Sequence, residues 1–176
     1  RLYALVTEGG IYLDSDVEVL KTFDDLLHLP FFICKENSPQ GVEAATIGAE
    51  AGTSWLIKCL EYYNEKTFVD SSGKEQTAVL PSILQDCISR NFDICYIDSP
   101  LEFNVNKNTV FVLPMDYFSP KNYVTKKIVI TENTYSIHHF AGTWQPGWKK
   151  TLLYLWVPFS IKFPRLAAWL KQKISN

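Results

Sequence analysis

The stretch "EGGIYLDSDVEVL", from Glu8 to Leu20, constrains this chain more than any other. A glycine pair stops whatever precedes it, three apolar residues follow, and two aspartates come directly after. Leu2, Leu5 and Val6 have helical spacing, and Gly9-Gly10 suits a left-handed helix stop. Ile11-Tyr12-Leu13 then reads as a short buried strand. In an extended segment residues i and i+2 point to one side, so Asp14 and Asp16 are expected to converge. Paired carboxylates repel, and keeping both ionised favours a cation between them. Hard oxygen ligands suit Mg2+ or Mn2+, ions that keep positions for water and substrate phosphates. An acidic turn that merely caps a strand has the same pattern.

The rest of the chain alternates strands and helices. Val17 to Leu20 continues extended, Asp24 to Leu29 is a short helix or turn closed by Pro30, and Phe31 to Cys34 is a second strand. Ala44 to Ala49 is small and apolar. Thr53 is placed to cap a helix from about Ser54 to Asn64, with Leu56, Leu60 and Tyr63 on one stripe. Val79 to Arg90 has the spacing of a second amphipathic helix, with Pro81 tolerated in its first turn. Ile94 to Ile97, Thr109 to Leu113, Lys127 to Thr131 and Tyr135 to Phe140 read as further strands. This order predicts an α/β layered domain.

Composition excludes several classes. At 47% hydrophobic residues, 176 residues make a globular domain with a real core. A net charge of −2 argues against a nucleic-acid binder. The charge is unevenly placed, because six of the 17 basic residues and none of the 19 acidic ones lie from Lys149 onward. In this tail Leu166, Trp169 and Leu170 share a helical face beside Lys171 and Lys173, which suits either an interfacial membrane anchor or a docked helix with a solvated basic face. Pro158 and Pro164 break any long helix there. Cys34, Cys59, Cys87 and Cys95 have no C-x-x-C spacing and read as reduced core residues of a cytosolic protein. No apolar run reaches the roughly 18 residues of a spanning helix. The chain opens inside a helix-like phrase, "RLYALVTEGG", so further residues are expected before Arg1.

"RLYALVTEGGIYLDSDVEVL" resembles the D-x-D segment of glycosyltransferase family 32, which includes bacterial capsular and lipopolysaccharide transferases and yeast α-1,6-mannosyltransferases. The elements stand in the family's order: Arg1, Gly9-Gly10, then Ile11-Tyr12-Leu13-Asp14-Ser15-Asp16. "NTYSIHHFAGTW", from Asn133 to Trp144, resembles the family's "HH…SW" motif, with Thr143 where Ser is commoner. "ATIGAEAGTSWLIKCLEYY" and "FVLPMDYFSPKN" resemble the segments between, so the likeness covers about residues 1–150, with 151–176 as a basic, aromatic-rich tail.

The resemblance implies a GT-A fold lacking its N-terminal part, a UDP- or GDP-sugar donor, a divalent ion and retention of anomeric configuration. By position Asp16 would bind the metal directly, and Asp14 would contact the donor sugar or ribose and help the ion. Arg1 would reach the donor. His139 would be the second metal ligand, as the His of an H-x-x-G arrangement that ends at Gly142. Gly142 would let the backbone approach the phosphate, and Trp144 would wall the donor. Mn2+ is favoured over Mg2+ because histidine is a borderline ligand. The implied acceptor is a saccharide or lipid-linked saccharide in bacterial surface polysaccharide synthesis, reached from the cytoplasm at the inner face of the membrane. His138 is open between a core histidine and a site residue, and His28 reads as structural. Glu43 and Glu50 read as surface carboxylates, with acceptor contacts the alternative.

Two other classes use such residues. The strand and D-x-D also resemble the first motif of haloacid-dehalogenase-type phosphatases, where Asp14 would be a nucleophile and Asp16 an acid/base. Glu18 stands where that motif carries Thr or Val. A non-catalytic sugar-binding domain would use Trp55, Trp144 and Trp148 without metal or nucleotide.

Overall fold

The computed structural model describes residues 1–36, 41–64, 66–69, 73, 75, 78–104, 106, 108–123, 125–142, 156, 159, 160 and 162–174. By internal contacts the chain divides into two units, Arg1–His139 and Phe140–Asn176. The sequence reading carries its catalytic segment to residue 150, and residues 143–155 lie outside the described residues.

The first unit is mixed α/β. Helix α1 (Leu2–Glu8) buries Leu2 and Leu5 and ends at Gly9, whose N–H donates to the Leu5 carbonyl at 3.0 Å. Gly9 has φ 69°, and a Cβ there would meet the Ala51 nitrogen at 2.7 Å. Only glycine fits that corner. Strand β1 (Gly10–Leu13) pairs antiparallel with β4 (Thr46–Ala49), and β3 (Phe31–Phe32) pairs with the other side of β4. β1 is therefore an edge strand. That corrects the expectation of burial, since Ile11 is exposed and Tyr12 and Leu13 are half-buried. Strand β2 (Val17–Val19) pairs antiparallel with β7 (Ser136–His138).

Helices α2 (Ser54–Glu61) and α3 (Leu80–Asn91) pack on one another, and α3 leads into β5 (Asp93–Tyr96). β5 runs parallel to β6 (Thr109–Val112). A parallel bridge between Cys34 and Leu113, flanked by hydrogen bonds of 2.9 Å, ties β6 to the end of β3. Thr53 stands at the N-cap of α2 as expected, but its hydroxyl donates back to the Glu50 carbonyl at 2.7 Å. The α2 face in the core is Trp55, Leu56 and Cys59, and Tyr63 lies beyond the helix end, exposed.

An aromatic stack fills the space between the antiparallel pairs. Phe23 lies 5.9 Å from Phe32 and 5.8 Å from Tyr135, stacked nearly parallel to each, and Phe118 closes the group 5.5 Å from Phe32. Gly48, opposite Phe32 across the ladder, leaves room for that ring. The expected strand from Lys127 to Thr131 does not form. Among the described residues it makes one isolated bridge, Lys121 with Ile128, and Ile128, Val129 and Ile130 are exposed. β-branched composition makes a strand only where a partner edge is free.

In the second unit, α4 (Pro164–Ile174) buries Ala167 and exposes Leu166 and Trp169. No helix among the described residues is long and apolar enough to cross a membrane.

Candidate functional site

Asp14 and Asp16 do converge, by a tighter route than an extended strand. The Val17 N–H donates to the Asp14 carbonyl at 3.1 Å, so residues 14–17 form a turn between β1 and β2. The turn is anchored at its start, because the Asp14 N–H donates to the Ala45 carbonyl at 2.8 Å and so prolongs the β1–β4 pairing.

Arg1 reaches the turn from the start of α1. Its guanidinium grips Asp14 in a fork, Nη1 to Oδ2 at 3.2 Å and Nη2 to Oδ1 at 3.0 Å. Nη1 also donates to the Ala44 carbonyl at 3.0 Å, and the guanidinium lies over the Tyr12 ring. The Tyr12 hydroxyl donates to Asp14 Oδ1 at 2.6 Å. Both oxygens of Asp14 are thus engaged. A carboxylate held in this way is poorly set up as the nucleophile that the phosphatase reading needs.

The ring nearest Asp16 belongs to His138. The sequence reading puts His139 there. His138 Nε2 lies 3.6 Å from Asp16 Oδ2, and the ligand atoms of Asp14, Asp16 and His138 all lie within 4.8 Å of one another. His139 sits beside Glu18, Nε2 to Oε2 at 2.8 Å, while its backbone N–H donates to the Asp16 carbonyl at 3.0 Å. Strand alternation explains the split. Val17 faces His138 and Glu18 faces Ile137 across the β2–β7 ladder, so adjacent residues 138 and 139 point to opposite faces.

Behind His138 lies Glu43, fully buried, and this corrects its reading as a surface carboxylate. Its Oε1 accepts from the N–H groups of Ala44 at 2.9 Å and Ala45 at 2.7 Å and lies 3.3 Å from His138 Nδ1. The available signal was a lone acidic residue inside the small apolar run "GVEAATIGA". Glu50, by contrast, is exposed. Glu36 is a third carboxyl, also buried, whose ligand atom groups with those of Glu43 and His138. A buried hydroxyl pair, Thr46 with Ser136 at 3.3 Å, ties β4 to the strand that carries His138.

Burial and charge divide the protons among these groups. Desolvation pushes the Glu36 carboxyl up, the negative Glu43 adds to it, and the result is about 8, so Glu36 is protonated at neutral pH. Desolvation also pushes Glu43 up, but His138 and the Ala45 N–H outweigh it and hold Glu43 below the usual range. His138 is drawn down by burial and up by Glu43, Asp16 and Asp14, with a net rise. Glu43 therefore stays ionised against Nδ1. Nε2 faces the Asp16 carboxylate, where only a positive group, a proton or a metal ion, satisfies both sides.

The donor set, two carboxylates and an imidazole, fits Mn2+ or Mg2+. Gly142 has a positive φ of 53° and belongs to the second unit. Trp144 lies outside the described residues, as does Trp148. Trp55 is buried in the core, which removes one of the three rings proposed as a sugar platform. Two cavities among the described residues, of about 280 and 350 Å3, lie away from the Asp pair, the smaller beside Gly9 and Ile11 and the larger beside Met115 and Lys127.

Comparison with known proteins gives this geometry a context. Residues 1–32 match the family model of the glycosyltransferase sugar-binding region containing a DXD motif. The chain is 38% identical over 58 residues to inositol phosphoceramide mannosyltransferase 3 of Schizosaccharomyces pombe, a match over 33% of this chain and 16% of the relative. It is 49% identical over 45 residues to glucan organizing enzyme 1 of Cryptococcus neoformans, over 26% of this chain and 12% of that relative. The matched stretches thus span less than a fifth of either relative's length. No solved structure matches the chain. The chain carries a DXD glycosyltransferase region, and Arg1, Asp14 and Asp16 all lie within it.

Proposed function

We propose that this chain is the donor-gripping part of a metal-dependent glycosyltransferase with a GT-A-type fold. The observation that carries the reading is the meeting of Asp14, Asp16 and His138 within 4.8 Å, on a segment matched as a sugar-binding region. Asp16 and His138 are the proposed ligands of a Mn2+ or Mg2+ ion. Bound there, the ion stabilises the negative charge that grows on the diphosphate as the sugar leaves. Asp14, immobilised by Arg1 and Tyr12, is held to meet the donor sugar or ribose and to add charge beside the ion. Arg1 fixes that carboxylate and the Ala44 carbonyl together, so it sets the shape of the turn before the donor arrives. The transfer is read as retaining, as the family resemblance implies.

The donor is a UDP- or GDP-sugar. A relative named as an inositol phosphoceramide mannosyltransferase favours a mannosyl donor and a lipid-borne acceptor over a free saccharide. The exposed Phe163, Leu166 and Trp169, with Lys162 and Arg165 also exposed, suit contact with an anionic lipid surface beside such an acceptor. A panel of acceptors, lipid-borne and of bacterial surface-polysaccharide type, separates the acceptor classes, and the anomeric configuration of the product tests retention.

The deciding experiment is a calorimetric titration of UDP and GDP into the full-length protein, with and without Mn2+, alongside Asp16→Ala. The expected result is binding of one nucleotide that needs both the ion and Asp16, with a loss of at least about 100-fold in the variant. Nucleotide binding that is unchanged without Mn2+ and in a folded Asp16→Ala protein overturns the reading.

A further inference from the structure

We propose that Glu43 is a positioning residue that fixes the His138 ring in its Nδ1–H tautomer and so presents the Nε2 lone pair to the cation position beside Asp16. The inference rests on the metal site of the preceding subsection and names the residue that pre-organises it.

Three observations carry it. Glu43 is fully buried, and its carboxyl acts as an acceptor toward every partner whose donor is fixed, the N–H groups of Ala44 and Ala45. Its place is set by backbone rather than by rotamer choice alone, since the N–H groups of Ala44 and Ala45 both donate to Oε1. His138 Nδ1 lies 3.3 Å from Oε1 and 3.4 Å from Oε2, so the nitrogen facing the carboxylate has to carry the hydrogen. In a neutral ring, Nε2 is then the bare nitrogen, and it is the one directed at Asp16. A carboxylate behind a metal-binding histidine fixes its tautomer and raises its basicity.

The same short segment orients the rest of the site. The Ala44 carbonyl accepts from Arg1 and the Ala45 carbonyl from the Asp14 N–H. A shift at Glu43 is therefore felt by both halves of the cation site. This residue has no place in the D-x-D motif and lies outside residues 1–32.

The test reads the ring itself. In metal-free protein, at a pH where the ring is neutral, the 15N shifts of the two His138 ring nitrogens report the tautomer. Wild type is expected to show Nδ1–H. In Glu43→Gln the side-chain oxygen takes over the two backbone N–H groups, and the amide N–H donates to Nδ1. The proton then moves to Nε2, and Mn2+ affinity falls by about 10- to 100-fold. Circular dichroism shows whether the variant is folded. A wild-type ring in the Nε2–H form overturns the proposal without any variant. A folded Glu43→Gln protein with the wild-type tautomer and wild-type Mn2+ affinity also overturns it. Wild-type protein that shows Nδ1–H but takes up no Mn2+ sinks the metal reading and leaves the hold of Glu43 on the ring established.

Discussion

Two histidines adjacent in sequence each meet a carboxylate, yet they stand in different physical worlds. His138 turns inward from β7 to Glu43, which is fully buried, and to Asp16. His139 turns outward to Glu18, whose side chain is 55% exposed. On paper the outer pair is the better bond, at 2.8 Å against 3.3 Å. The distances alone mislead. Water screens and competes for the outer pair, whereas the inner one lies where charge must be compensated by protein or by a bound cation. What distinguishes a candidate site from a surface ion pair here is the burial of the titratable groups that meet in it.

The sharpest way to break that contrast is through the other buried carboxyl, that of Glu36. Glu36 ordinarily titrates near 4.5 and is raised to about 8 in the fold. Between those values the native state keeps a proton that the unfolded chain has released, so stability falls as pH rises through that window. The effect is on the order of 5 kcal/mol across the window. Glu36→Gln cannot ionise and is expected to flatten the slope, giving a metal-free protein more stable than wild type at alkaline pH and little changed below pH 4.5. A residual fall remains as pH rises above 6.5, because His138 also has a raised pKa and loses its stabilising charge there. Chemical denaturation of both proteins across pH measures this, and parallel curves would show that Glu36 is not the buried acid described.

The second prediction sets the two rings against each other. His138→Gln is expected to lower Mn2+ affinity by about 10- to 100-fold, and His139→Gln by less than about 2-fold. Glutamine keeps a donor for Glu43 or Glu18, so each variant is compared as a folded protein. If the larger loss follows His139, the ligand assignment reverts to the one expected from sequence.

That reversal of neighbouring histidines shows what the sequence could tell and what it could not. The Gly9-Gly10 stop, the short strand and the Asp pair were legible because they are local, resting on backbone freedom, apolar run length and spacing. The start of α2 and both ends of α3 were legible for the same reason, whereas α2 stops at Glu61, short of the expected Asn64. The side of β7 on which each histidine lies depends on its register with β2, which no local pattern sets. The burial of Glu43 was similarly hidden. A charged residue reads as surface by composition, and only the fold shows two backbone N–H groups and a ring awaiting it. The run from Lys127 to Thr131 failed in the opposite sense. Its residues favour a strand, but it makes no named strand in the fold.

The smallest effect belongs to the outer pair, and it is informative because it should be small. An exposed His–carboxylate contact contributes about 0.2–1 kcal/mol, and salt weakens it further. Glu18→Gln is therefore expected to shift stability by less than about 1 kcal/mol at neutral pH, with the shift shrinking as salt is added. Mn2+ affinity should stay at the wild-type value, since Glu18 shares a face with Ile137 and His139 rather than with His138. Equilibrium denaturation at low and high salt, with Mn2+ titration of the same samples, measures both. A loss of metal affinity in Glu18→Gln would mean that the outer face reaches the cation through His139, whose backbone N–H is already bonded to the Asp16 carbonyl. The division between the two faces of β7 would then be one of degree, and Asp16 would be the point at which they join.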